Sequence, residues 1–216
     1  MEQFYPVYLD LRGRKALVVG GGKVAGRKVE RLLSCGAQVV VLSPALAPML
    51  QELAGAGKIE YLQHSYDPCH LEGVFLVIGA SSDHETNRRV AEDCFSRNIP
   101  VNIVDIPPLC SFYVPSLVSR GPLSIAISTA GKSPAFARLL REQLEGLYGP
   151  IYGEFTDYLG KLRPRILREI SDPQQRKALF TELAGETGFN LYKTLPPPER
   201  DRQIEEIIER YRERRQ

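Results

Sequence analysis

Only four of the 216 residues are cysteine: Cys35, Cys69, Cys94 and Cys110, with no C-x-x-C pair. That excludes a disulfide mini-scaffold and suggests reduced thiols in a cytoplasmic protein. Long apolar runs are also missing. The longest surrounds Gly73–Ala80 (GVFLVIGA), against the about 20 residues of a spanning helix, so no membrane partner is expected. The N-terminus, MEQFYPVYLDLRGRK, lacks a basic stretch followed by an apolar one, which argues against a signal peptide. Neither charge dominates: 28 Lys+Arg against 26 Asp+Glu leave a net +2, and no nucleic-acid partner is expected from that balance. Repeats and low-complexity tracts are absent. The end of the chain, Glu199–Gln216, mixes Glu and Arg and is expected as a solvated or end-packed helix rather than a basic arm.

The rest is ordinary globular composition: 43% hydrophobic, 25% charged, Gly 18 and Pro 16. The length allows a real core in one domain, or one domain with a small partner. The first half alternates short apolar runs with amphipathic stretches. Lys15–Gly20, Ala37–Leu42, Lys58–Leu62, Gly73–Ile78 and Pro100–Val104 are predicted strands. Lys23–Ser34, a stretch ending near Leu53, and Asp83–Arg97 are predicted helices. Strands apolar throughout and separated by helices indicate an α/β fold, a parallel sheet covered on both faces. After Asp105 the pattern changes. Phe112–Pro115 and Leu123–Ser128 are predicted strands of a different arrangement. Ser133-Pro134 then opens a helix whose apolar stripe is Phe136, Leu139, Leu140, Leu144 and Leu147. From Tyr152 onward the chain is expected to be helical, with breaks at Pro164, Pro173 and Pro196–Pro198.

One motif is strong in its context. Gly20, Gly22 and Ala25 in VVGGGKVAGRK fit G-x-G-x-x-[GA] between a predicted strand and a predicted helix. The first glycine permits a tight turn, the second lets backbone approach a pyrophosphate, and the small third residue lets helix and strand pack. The helix start, with Lys23, Val24 and Ala25, offers free N–H groups to the phosphates. Ser43-Pro44 at the end of the second strand, and Ala80-Ser81 at the end of the fourth, complete the expected cofactor site. The usual ribose-binding acid is missing: Ser43 stands in its place, and no arginine is there to receive a 2′-phosphate. The expected cofactor is therefore NAD rather than NADP.

Three further segments carry weaker signals. Ala126–Ser133 (AISTAGKS) resembles a P-loop, but Ala126 replaces its first glycine and Pro134 lacks an N–H, so an ATPase is not expected. An anion site at that helix start, with Lys132, Arg138 and Arg141, remains open. His64, Asp67, Cys69 and His70 lie close together, but their spacing matches no common zinc module. A strand end plus loop is expected there, and no metal site. Asp105 closes the fifth strand, where an acid can move a proton beside a nicotinamide. Its other reading is a cap or turn carboxylate.

The order of these pieces resembles the precorrin-2 dehydrogenase/sirohydrochlorin ferrochelatase family, the dehydrogenase part of siroheme synthases and its stand-alone relatives. The matching segments are Tyr5-Pro6-Val7 with Leu11, VVGGGKVAGRKV, Leu42-Ser43-Pro44, Asn102–Asp105, Ser111-Phe112 with Val114-Pro115-Ser116, Arg120–Leu123 and ISTAGKSPAFARLLREQLE. They run collinearly from about Tyr5 to Leu147. The resemblance implies a Rossmann domain (residues 1–112), a dimerisation region (113–148) and a helical domain (149–216), in a homodimer with the substrate between subunits. It implies NAD-dependent oxidation of precorrin-2 to sirohydrochlorin, with Asp105 catalytic. Substrate carboxylates would meet Arg120, Lys132, Arg138 and Arg141, although these residues also suit exposed helix charges. Some members are bifunctional and also insert Fe²⁺; a non-catalytic NAD-sensing regulator is a further alternative. In members with a serine pair at Ser128-Thr129, the second hydroxyl is phosphorylated; here that residue is Thr129.

Overall fold

A computed structural model describes residues 4–213. The chain divides into two compact units between Val114 and Pro115.

The first unit is a five-stranded parallel sheet. Its strands are β1 (Lys15–Val19), β2 (Gln38–Leu42), β3 (Glu60–Leu62), β4 (Leu76–Gly79) and β5 (Val101–Ile103), in the order β3-β2-β1-β4-β5. Helices α1 (Lys23–Ser34), α2 (Pro48–Gly55) and α3 (His84–Ser96) lie between them. This is the doubly wound order of Rossmann-like folds, which reverses direction between β1 and β4.

Strand period two explains why the runs are apolar throughout. Ala16, Val18, Val39 and Val41 face one core, shared with Val29, Leu32 and Leu50 of α1 and α2. Leu17, Val19, Val40 and Leu42 face the other, shared with Val90, Ala91 and Cys94 of α3. Strand boundaries are narrower than expected. The predicted Lys58–Leu62 begins at Glu60, and Gly73–Ile78 becomes Leu76–Gly79 because Gly73 turns with φ +68. The predicted strand Phe112–Pro115 does not form. Phe112 instead packs against the first core, and Tyr113 meets Phe4 edge to face at 4.8 Å.

The second unit begins with an antiparallel hairpin of β6 (Ser116–Arg120) and β7 (Leu123–Ile127). Its two-residue turn, Gly121-Pro122, puts the glycine at φ +55, which suits a II′ geometry because proline cannot take positive φ. Five helices follow: α4 (Pro134–Leu147), α5 (Pro150–Glu169), α6 (Pro173–Ala184), α7 (Glu186–Thr194) and α8 (Pro197–Glu213). Ser133 caps α4 as expected, its hydroxyl accepting from the Phe136 N–H at 3.2 Å.

Pro164 does not break the chain but lies inside α5. The carbonyl that loses its partner belongs to Gly160, which is exposed, so water can satisfy it. The Glu/Arg-rich end is an end-packed helix: Ile204, Ile207, Ile208 and Tyr211 of α8 enter the core with Ile166, Ile170, Leu179 and Leu183. Residues 214–216 of that expected helix lie outside the described residues. Among the described residues no helix is long and apolar enough to cross a membrane.

Candidate functional site

All five strands run in the same direction, so their carboxyl ends share one edge of the sheet. The glycine loop follows β1, Ser43-Pro44 follows β2, Ala80-Ser81 follows β4 and Asp105 follows β5. Ligands of open α/β sheets bind outside these ends, at the reversal between β1 and β4.

The three glycines have different roles. Gly20 holds φ +125, and a Cβ there would lie 2.4 Å from the Ala80 carbonyl oxygen. Gly21 closes on the β2–α2 loop: its carbonyl accepts from the Ala47 N–H at 2.7 Å, and a Cβ would lie 1.9 Å from the Ala45 carbonyl oxygen. Gly22 is exposed, and a Cβ there would meet nothing within 4 Å. Its backbone is thus open to a ligand while its neighbours are closed against protein. No side chain caps α1 at Gly22, so the N–H groups of Lys23, Val24 and Ala25 begin the helix without intrahelical partners. Ala25 is fully buried behind them. This bare cradle fits a pyrophosphate.

Around it, Ser43 is buried, and its hydroxyl donates to the Ala45 carbonyl at 2.8 Å. On the β4 side, the Ser81 hydroxyl accepts from the Asp83 N–H at 3.1 Å. Buried Asn87 holds the Ser81 backbone from both sides: its Oδ1 accepts from the Ser81 N–H (3.3 Å) and its Nδ2 donates to the Ser81 carbonyl (2.9 Å). Asp83 caps α3, and the Thr86 hydroxyl and amides hold its carboxyl below the usual range. Asp105 is exposed, with φ +62, and its carboxylate has no hydrogen-bond or ion-pair partner among the described residues.

Sequence reasoning missed Gly21 and Asn87. Asn87 had a readable signal, since it shares a face of α3 with Val90, Ala91 and Cys94, where a polar residue needs a partner.

The expected substrate cations lie in the second unit. Lys132 is exposed and forms no ion pair among the described residues. Arg138 pairs with Glu142 (2.8 Å), and Arg141 with Glu145 (2.6 Å), one turn along α4. Arg120 is engaged with backbone carbonyls. Its guanidinium donates to the carbonyls of Tyr148 (2.9 Å), Glu145 (3.2 Å) and Ser119 (2.9 Å), closing the end of α4 rather than facing outward.

The loop before α4 is strained. Ala130 (φ +51) and Gly131 (φ +76) are both left-handed, an arrangement costly for alanine by about 1–2 kcal/mol. Ala130→Gly relieves that strain against the entropy of a freer unfolded chain, and is expected to stabilise by about 0.5–1 kcal/mol. Urea unfolding checks this: the midpoint rises at constant slope.

The HSYDPCH segment is a turn. Asp67 caps a 3₁₀ helix at Pro68–Leu71: its carboxylate accepts from the Cys69 N–H (2.9 Å), and His70 Nδ1 accepts from the Asp67 N–H (3.1 Å). Among the described residues, no group of three or more His, Cys, Asp or Glu is arranged to hold a metal ion.

A family model described as NAD(P)-binding matches residues 7–116, from before β1 to the start of β6. The chain belongs to this family. A second model, a sirohaem biosynthesis protein central region, matches residues 120–147, covering β7 and α4. Siroheme synthase of Methylobacillus flagellatus is 42% identical over 178 residues, covering 82% of this chain and 38% of that protein. Siroheme synthase 1 of Serratia proteamaculans is 35% identical over 208 residues, covering 96% of this chain and 44% of its own length. The chain thus spans less than half of these curated relatives. Among solved structures, SirC, a precorrin-2 dehydrogenase, is similar over 96% of this chain and 100% of its own, with 29% identity and a TM-score of 0.77.

Proposed function

We propose that the chain is an NAD-dependent precorrin-2 dehydrogenase, forming sirohydrochlorin in siroheme biosynthesis. The observation that carries this is the likeness to SirC, the precorrin-2 dehydrogenase, whose whole length this chain matches at 29% identity. The reaction removes a hydride and a proton from a tetrapyrrole. NAD⁺ bound at the glycine loop supplies the hydride acceptor. Gly22 and the first N–H groups of α1 would hold its pyrophosphate, with Ala80-Ser81 on the β4 side. The β2–α2 loop, residues 43–47, contains no lysine or arginine to receive a 2′-phosphate, which favours NAD over NADP.

Asp105 takes the proton that the nicotinamide cannot accept. Its free carboxylate on an exposed turn supports that role. Lys132 offers the substrate's carboxylates an unpaired ammonium. Arg138 can be redirected to them, because an exposed pair such as Arg138–Glu142 holds by about 0.2–1 kcal/mol; Arg141, part-buried beside Glu145, and Arg120 complete the proposed set. The free thiols agree with a cytoplasmic enzyme. In the test, precorrin-2 and NAD⁺ are incubated anaerobically with the protein. NADH and sirohydrochlorin are expected to appear together, and formation of neither would reject the reading.

A second copy of the chain is the proposed partner. Phe136 (52% exposed), Leu139 (48%) and Leu147 (67%) form an uncovered apolar stripe on α4, the kind of face that a two-fold contact buries. The protein is expected to be a dimer by light scattering. Leu139→Asp would set a charge in that contact and weaken dimerisation by about 10- to 100-fold. A monomeric parent protein at micromolar concentration would refute the dimer.

A further inference from the structure

β5 ends the sheet order, so its outer edge has no neighbouring strand. Side chains and loop backbone close it instead. The Ser111 hydroxyl accepts from the Val101 N–H (2.8 Å), and the Ser111 N–H donates to the Val101 carbonyl (2.8 Å). Asn102 Nδ2 donates to the Phe112 carbonyl at 3.0 Å. Cys110 Sγ occupies the remaining edge. It accepts from the Ile103 N–H (3.3 Å), and its S–H is within reach of the carbonyls of Ile103 (3.2 Å) and Ile106 (3.4 Å).

Ile103 and Ile106 flank the turn that carries Asp105, whose φ is +62. Left-handed backbone at a residue other than glycine persists when its surroundings over-determine it. Here the thiol touches the backbone on both sides of the left-handed residue. Burial also pushes the Cys110 thiol up, so it remains an S–H donor.

We propose that Cys110 is a positioning residue for Asp105: its thiol bridges Ile103 and Ile106 and sets the direction in which the Asp105 carboxylate leaves the sheet. This rests on the reading of Asp105 as the proton acceptor. It gives a function to a side chain that reaches neither cofactor nor substrate in that reading. The edge cap doubles as an aiming device: the contacts that finish the sheet also fix the acid.

The test compares Cys110→Ala and Cys110→Ser in the full chain, alone and combined with Asp105→Asn. A misaimed catalytic group costs up to about 100-fold. Cys110→Ala is therefore expected to lower kcat by about 10- to 100-fold, with KM for NAD⁺ within about twofold of the parent. Cys110→Ser, whose hydroxyl can both donate and accept, is expected to recover most of that loss. In the Asp105→Asn background, Cys110→Ala should cost almost nothing more, because residues acting through one another are not additive. Amide exchange gives a readout independent of turnover: the Ile103 N–H should exchange faster in Cys110→Ala and regain protection in Cys110→Ser. Parental kcat in Cys110→Ala beside an inactive Asp105→Asn would overturn the positioning role alone. An undiminished Cys110→Ala loss in the Asp105→Asn background would do the same. Full activity of Asp105→Asn by itself would overturn the reading on which the role rests.

Discussion

Asp105→Asn is expected to bind NAD⁺ as the parent does and to lose precorrin-2 dehydrogenation by about 10²–10⁴-fold, the usual worth of a positioned general base. The substitution keeps the shape of the side chain and removes the basic oxygen. Asparagine also tolerates left-handed backbone, as aspartate does, so the φ of +62 at this position survives the change. The fold is expected to remain intact, since the Asp105 carboxylate is exposed and bonded to no other described group. Asp105→Ala is expected to lose as much activity, and some stability as well, because alanine is poorly suited to that backbone. Calorimetry gives the NAD⁺ affinity and stopped-flow absorbance the rate. Turnover near the parental value in either variant would reduce Asp105 to a turn residue.

Gly22→Asp is expected to abolish measurable NAD⁺ binding while leaving the protein folded. A Cβ at Gly22 meets no protein atom within 4 Å, so the fold has nothing to lose. The same open space is where backbone must approach a pyrophosphate, and a carboxylate there adds bulk and like charge. The neighbouring glycines provide the control. A Cβ at Gly20 or Gly21 lies 2.4 Å or 1.9 Å from a backbone oxygen, so Gly20→Ala and Gly21→Ala are expected to lower the melting temperature as well as the affinity. Near-parental NAD⁺ affinity in Gly22→Asp, measured by calorimetry, would count decisively against the dinucleotide site.

Much of the first unit was legible because its signals are local. Val18, Val39 and Val77 lie in short apolar runs bounded by glycine, serine and proline, and the helices between them have one apolar face. The glycine motif was readable for the same reason: its spacing, between a strand and a helix, is local. What escaped depended on distant partners. Gly21 looked like filler between two motif glycines, yet its carbonyl receives the Ala47 N–H, 26 residues further along the chain. Phe112 and Tyr113 have strand-forming side chains, but packing against a core and against Phe4 decided their conformation. Proline normally ends a helix, but the carbonyl that Pro164 leaves without a partner, on Gly160, is exposed to water. The carbonyl partners of Arg120, at the far end of α4, lie 25 and 28 residues away in sequence and left no local trace. Cys110 carried no sequence signal, since a lone cysteine gives no hint that it finishes a sheet edge.

In the proposed reaction a hydride passes directly from the tetrapyrrole to NAD⁺ at this glycine loop. The most direct measurement uses precorrin-2 deuterated at the carbon that loses the hydride, incubated with the protein and NAD⁺, with the reduced nicotinamide then analysed by mass spectrometry. Deuterium is expected in the nicotinamide ring, one atom for each sirohydrochlorin formed. Sirohydrochlorin formed with the deuterium released to solvent and none in the nicotinamide would contradict it.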